Sequence, residues 1–257
     1  MTPKPLLPFA VATRRDVLLF ELANSEIMVV GCDSSGGVGP KPLDKIKVNG
    51  YTLGKFTARA ALMEVLAVGA KPVCVVDTLS VEPEPTGSEI IRGIRAEAEK
   101  AGLDPKWAVT GSTEKNFEVE QTGIGVTVIG TCKRSALRIG TSLPNDTVVA
   151  LGIPCVGNEV VSAEKESKIT DVTDIPKLQN LSFIHEVIPV GSTGIIHEIE
   201  TLAHDSKLTF KLAEQHEIKV TESAGPATVI LASLPDSKVA DLKRTVNKPV
   251  NVIGTLF

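Results

Sequence analysis

A mixed α/β fold in two parts is what this sequence predicts, and three observations predict it. Short apolar runs of strand length alternate with segments of helical period along most of the chain. The alternation pauses at Gly140-Thr-Ser-Leu-Pro-Asn-Asp146, where turn formers cluster. Aromatic residues are only 4% of the 257, so the core has to be built from Val, Ile, Leu and Ala. The boundary between the parts is therefore placed at 143/144, giving segments 1–143 and 144–257, each long enough to bury a core.

The elements follow in order. Residues 1–13 hold three prolines and read as an arm on the body. Asp16 to Leu22 and Glu26 to Val30 are strands separated by a polar turn, and the second runs into the glycine-rich loop Gly31–Lys41. Leu53 to Val68 reads as a helix, with Phe56, Ala60, Met63 and Ala67 on one face and Gly69 as its stop. Val73 to Val76 is a short buried strand ending at Asp77. Thr86-Gly-Ser-Glu89 matches a capping box for a helix carrying Ile90, Ile91, Ile94 and Ala98. Trp107–Val109 starts a strand that leads into Thr110-Gly-Ser-Thr-Glu-Lys-Asn116, and Gly123–Gly130 is another. In the second part Val148–Ile153, Phe183–Val190, Ala227–Leu234 and Val250–Leu256 are strands, with a further β run from Leu208. Gly191-Ser-Thr-Gly194 opens one helix, reaching about His204, and Ser237–Val246 is another. Residues 157–179 are polar and weakly periodic, as in a surface excursion.

Composition removes several function classes. A net charge of −4 and sparse aromatics offer neither an electrostatic footprint nor a stacking platform for nucleic acid. Cys32, Cys74, Cys132 and Cys155 form no C-x-x-C pair, so zinc-site and disulfide spacings are absent. The four histidines show no metal spacing; His197 and His204 lie a heptad apart and read as surface residues. No apolar run reaches the length of a membrane span and the N-terminus lacks a signal-like core, which points to the cytoplasm.

Three places in the first part could carry chemistry, and in the second part Gly191-Ser-Thr-Gly194 at a helix start and Glu222-Ser-Ala-Gly-Pro226 before a strand read as a cap and a turn or as substrate loops. In the Gly31–Lys41 loop, Gly36, Gly37 and Gly39 leave backbone amides open to an anionic oxygen, Lys41 adds a charge, and Asp33 presents a carboxylate at a strand end. The same composition suits a mobile connector, and the loop is neither a Walker A nor a G-x-G-x-x-G sequence. Asp33, Asp44, Glu64 and Asp77 form an acidic set with the hard oxygens that Mg²⁺ takes. Glu64, one position off its helix's apolar stripe, equally suits an exposed face. Ser112, Thr113, Glu114 and Asn116 suit either a nucleotide or a polar turn. No nucleophile elbow is present, so covalent catalysis is not indicated. No catalytic residue is assigned.

These loops together resemble the ATP-binding superfamily of aminoimidazole ribonucleotide (AIR) synthases, which includes thiamine-monophosphate kinase, selenophosphate synthetase and a hydrogenase-maturation factor. The resemblance rests on Gly31-Cys-Asp-Ser-Ser-Gly-Gly-Val-Gly-Pro-Lys41, Ala61-Leu-Met-Glu-Val-Leu-Ala-Val-Gly-Ala-Lys-Pro72 and Thr110-Gly-Ser-Thr-Glu114, and covers most of residues 14–133. Met63-Glu64 stands where the family has Asn-Asp, and Gly111-Ser112-Thr113 where it has Gly-Gly-Asp. Glu84-Pro-Thr-Gly87, Gly111-Ser-Thr-Glu114 and Ser223-Ala-Gly-Pro226 are most similar to the α-ribazole kinase branch.

The resemblance implies a two-domain fold, a mixed N-terminal sheet that pairs with its twin in a homodimer, and a smaller C-terminal α/β domain for the acceptor. It implies ATP as cosubstrate, with Mg²⁺ on Asp33, Glu64 and Asp77 and Asp44 as a weaker ligand. Gly36, Gly37, Gly39 and Lys41 would meet the phosphates, and Ser112, Thr113, Glu114 and Asn116 would complete the nucleotide site. The activity implied is phosphorylation of the 5′ hydroxyl of α-ribazole. Two other expectations stand beside it: an ATP-dependent dehydration or cyclisation, and a non-catalytic nucleotide sensor.

Overall fold

The computed structural model describes residues 10–214 and 217–257; residues 1–9, most of the expected arm, and His216 lie outside the described residues. Strands β1 (Val11–Arg14), β2 (Val17–Glu21), β3 (Glu26–Gly36), β4 (Val38–Gly39) and β5 (Ile46–Lys47) precede helix α1 (Gly50–Ala67). Then come β6 (Lys71–Leu79), α2 (Ser88–Lys100), α3 (Pro105–Ala108), β7 (Val109–Thr113) and β8 (Gly123–Lys133). The second half holds β9 (Asp146–Gly152), α4 (Glu159–Lys165), α5 (Asp174–Gln179), β10 (Glu186–Pro189) and α6 (Ile195–Asp205). It closes with β11 (Phe210–Leu212), β12 (Val229–Pro235), α7 (Val239–Thr245) and β13 (Val250–Leu256).

A six-stranded sheet in the order β1-β2-β3-β8-β6-β7 makes the first half, antiparallel except for the β6/β7 pair. A five-stranded antiparallel sheet, β10-β12-β9-β13-β11, makes the second. The first ends at Lys133 and the second begins at Asp146. The fold class is thus mixed α/β, with helices on the inner face of the first sheet and on both faces of the second.

Helix α1 lies between the two sheets, which explains its sequence. Leu53, Ala58, Ala61, Leu62, Met63 and Val65 are all buried, on more than one side of the helix. The helix begins earlier than its apolar pattern, because Asn49 accepts a hydrogen bond from the Thr52 amide at 2.8 Å and so caps it. Helix α2 crosses α1 backbone to backbone. A Cβ at Gly54 would stand 2.1 Å from the Ile90 carbonyl oxygen, and one at Gly93 2.1 Å from that of Tyr51. In the second sheet every residue of β9 is buried. Val149 and Leu151 join the core shared with α1, while Val148 and Ala150 pack against Ile195, Ile199 and Leu202 of α6. Cover on both faces is why β9 reads as an unbroken apolar run.

The structure corrects several expectations. Strand β3 continues through Gly31-Cys-Asp-Ser-Ser to Gly36, because each of these residues pairs with β8. Ladder pairing outweighs the low β propensity of Gly and Ser. Strand β6 runs past Asp77 to Leu79, so Asp33 and Asp77 lie within strands, not at their ends. The capping box does not form: Thr86 donates to Glu82 at 2.5 Å, and Glu89 accepts from the Gly50 amide at 3.1 Å, tying α2 to the start of α1. Trp107 falls in the one-turn α3, and the last three residues of the expected arm belong to the edge strand Val11–Arg14. Residues 157–179 are no surface excursion. They form α4 and α5, whose Val160, Ala163, Ile175 and Leu178 are buried.

Two buried ion networks tie the halves together. Arg15 pairs with Glu186 and, at 3.0 Å, with Asp205. Glu186 also accepts from the amides of Gly140, Thr141 and Ser142 at 2.7, 2.9 and 2.8 Å, which fixes the connection between the sheets. Arg59 of α1, fully buried, pairs with Glu97 of α2 at 2.8 Å and Glu164 of α4 at 2.6 Å.

Candidate active site

Between the two halves lies a cleft of about 610 Å³. Three carboxylates reach it: Asp16 from the β1–β2 turn, Asp33 from β3 and Glu64 from α1. Among the described residues no lysine, arginine or histidine lines it. The wall from the second half is uncharged, with Val160, Val161, Val190 and Pro226 beside Ser192.

Burial, with neighbouring negative charge, raises the carboxyls of Asp33, Glu64 and Glu198. Burial pushes the Asp33 carboxyl up to about 6, and the Asp16 charge adds to it against a hydrogen bond from the Ser34 amide. Burial also lifts Glu64 well above the usual carboxylate range, helped by Asp16 and Glu198 and opposed by Arg15. Glu198 of α6 is itself raised, by burial and then Asp16. Such a set is short of positive charge. Among the described residues no three His, Cys, Asp or Glu side chains are already gathered as a metal shell. The donors present nevertheless fit Mg²⁺, which binds one or two carboxylates and completes its six positions with phosphate oxygens and water.

The segment Gly31–Lys41 supplies part of the wall through Cys32, Asp33, Ser34, Ser35 and Val38, whereas Gly36, Gly37, Gly39 and Lys41 do not line the cleft. The space a Cβ would take at Gly36 is open. The Gly37 amide donates to the Thr122 carbonyl at 3.0 Å. Gly39 has φ +146°, and a Cβ there would meet Thr122 Oγ1 at 2.6 Å and Asp44 Oδ2 at 2.8 Å, so this position requires glycine. Asp44 holds the loop. It accepts from the Lys41 amide at 2.8 Å, the Thr122 amide at 2.8 Å and the Thr122 hydroxyl at 2.6 Å. The Lys41 amine pairs with Glu82.

Asp77 shares a row with Asp33 but not the cleft. Both pair with Val126 of β8, so they face the same side of the sheet about 10 Å apart across two strand spacings. Asp77 opens instead onto a groove of about 380 Å³ between α2 and β7, together with Ser112 and Thr113. Glu114 accepts from the Asn116 amide at 2.6 Å, and neither of these two residues lines the cleft or the groove. The expected constellation is therefore divided: Asp33 and Glu64 meet, Asp77, Ser112 and Thr113 meet elsewhere, and Asp44 is occupied within its loop.

Asp16 and Glu198 escaped sequence reasoning, whereas Ser192 and Pro226 belong to the two second-half loops, 191–194 and 222–226, that sequence offers as substrate loops or as a plain cap and turn. Asp16 sits in a tight turn, where no periodicity marks a side chain. Glu198 lies on the inward side of α6 one residue from Ile199, and only a charge among inward apolar positions could have flagged it.

Residues 15–132 match the family model "AIR synthase related protein, N-terminal domain". No curated protein matches the sequence. The chain is similar in structure to thiamine-monophosphate kinase from Stenotrophomonas maltophilia, with 15% identity, TM-score 0.66, and 96% of this chain and 88% of that one covered. It is also similar to the hydrogenase maturation protein HypE of E. coli, with 13% identity, TM-score 0.65, and 88% and 79% covered. T. maritima PurL complexed with AMPPCP is 14% identical with TM-score 0.62, and the match covers 96% of this chain and 42% of PurL. At these identities the likeness is one of fold.

Proposed function

We propose that the protein is an ATP- and Mg²⁺-dependent kinase that phosphorylates a small, uncharged, hydroxyl-bearing acceptor. One observation carries this reading: a cleft with three carboxylates and no cationic side chain. A bare polyphosphate would be repelled there. Mg²⁺ held by Asp33 and Glu64, with Asp16 close by, would cancel the charge of its two ligands and offer its remaining positions to triphosphate oxygens. Bound Mg²⁺ would neutralise charge on the transferred phosphoryl group, and the protein's share is positioning. Ser34 and Ser35 border the phosphate region. The AMPPCP complex of PurL supports a nucleotide in this fold. Lys41, Gly37 and Asp44 keep the glycine loop in shape, and Asp77, Ser112, Thr113, Glu114 and Asn116 lie outside this nucleotide site.

The second half's wall sets the acceptor. Val160, Val161, Val190 and Pro226 suit an apolar ring, and no cation is present to receive a phosphate or carboxylate. That favours a neutral nucleoside such as α-ribazole over a phosphomonoester acceptor. A coupled ADP-release assay with Mg-ATP, with and without α-ribazole, tests this when followed by mass analysis of the acceptor. One added phosphate is expected. ADP with inorganic phosphate and no phosphorylated acceptor would mean dehydration or cyclisation instead, and bound ATP without turnover would mean a sensor.

The outer face of the first sheet supports a homodimer. Leu18, Phe20, Met28, Val30, Val76 and Ile129 stand on it, none of them fully buried. A second copy of this chain would cover them.

A further inference from the structure

The groove between α2 and the edge strand β7 shares no residue with the cleft. Asp77, 1% exposed, lines it, and its Oδ1 has no hydrogen-bond partner. Buried polar atoms in folded proteins are nearly always partnered, so an orphaned carboxylate oxygen asks for a donor. The room around it is made by Gly111, its parallel neighbour: a Cβ there would stand 2.2 Å from Oδ1. On the same groove stand Arg95 of α2 and Lys115 beyond β7. Neither forms a close ion pair or a side-chain hydrogen bond among the described residues, although the Arg95 charge acts on Asp77 and lowers its carboxyl against the effect of burial. Glu84, the other acid of the groove, is already engaged, accepting from the Ser88 hydroxyl at 2.5 Å.

This charge pattern decides the ligand's chemistry. A metal cation would be repelled by Arg95 and Lys115. A simple anion would be repelled by Asp77. A neutral apolar molecule would leave the buried carboxylate unpartnered. One class satisfies both sides: a small zwitterion. We infer that this groove is a second ligand site, for a molecule of amino-acid size, whose ammonium donates to Asp77 and whose carboxylate lies on Arg95 and Lys115. This inference is independent of the nucleotide reading of the cleft.

Isothermal titration of the full chain with each of the twenty standard amino acids tests it, with methylamine and acetate as probes carrying one charge each. At least one amino acid should saturate at one site, at least tenfold tighter than either single-charge probe. Asp77→Asn and Arg95→Gln should each weaken it at least tenfold, while Asp33→Asn leaves it unchanged. Arg95 is exposed, so its variant keeps the test valid even where Asp77→Asn fails to fold. Failure of all twenty to saturate would overturn the inference. Binding that survives both groove variants, or that Mg-ATP displaces, would overturn it too. Loss of kinase activity alone would bear on the cleft and not on this site.

Discussion

Asp33 and Asp77 show how far one residue's surroundings decide its chemistry. They occupy the same row of one sheet, and burial lifts each carboxyl to about 6. Asp33 looks into a space where other acids converge, and Asp77 into one where cations stand. Replacing Asp33 with Asn should lower kcat/KM for Mg-ATP by about 100-fold, since it removes a charge that would hold the metal; steady-state kinetics at saturating acceptor reads this. The Asp77 carboxyl affects stability with a definite sign. Its pKa is raised on folding, so its contribution is full below about 4, the unfolded value, and is lost as pH rises through about 6. Asn at this position carries no such loss. Urea titrations should therefore show Asp77→Asn equal to the parent near pH 4, and more stable by about 1–3 kcal/mol at pH 7.5. An equal difference at both pH values would contradict this. At this scale the sequence was half legible. A carboxylate beside a glycine loop pointed to Asp33, and only the family resemblance pointed to Glu64; strand register, which sends Asp77 to another space, depends on pairing with β8 that no local signal encodes.

At the scale of elements, the crossing of α1 and α2 is the most constrained contact. Gly54 and Gly93 let two backbones touch, and no side chain can yield because the facing atoms are carbonyl oxygens. Gly54→Ala should cost about 3 kcal/mol, although alanine is the better helix former, as measured by the shift of the urea midpoint. Helix α1 itself could be read from its apolar density, and β13 from its alternation and flanks. Residues 157–179 could not. Their buried positions, Val160, Ala163, Ile175 and Leu178, are spread thinly over two short helices separated by charged turns, so neither gives a full helical period.

Across the whole molecule, the apolar outer face of the first sheet is the feature that composition could not show. Its residues alternate with core residues along β2, β3 and β8, and sequence alternation cannot tell a face turned to water from one turned to a twin. Ile129→Lys should convert a dimer to a monomer in light scattering without lowering the monomer's helix content. A variant that stays dimeric would place the contact elsewhere.

Arg15 and Arg59 span the boundary between the halves, and α1 belongs to the core of both. Neither sheet can come away without baring a guanidinium that has lost its carboxylate. Scanning calorimetry on a single transition should then return equal van't Hoff and calorimetric enthalpies for all of residues 15–257. A truncated first half, deprived of Glu164 and Glu186, would melt broadly or not fold at all, so the chain that looks like two modules behaves as one thermodynamic unit.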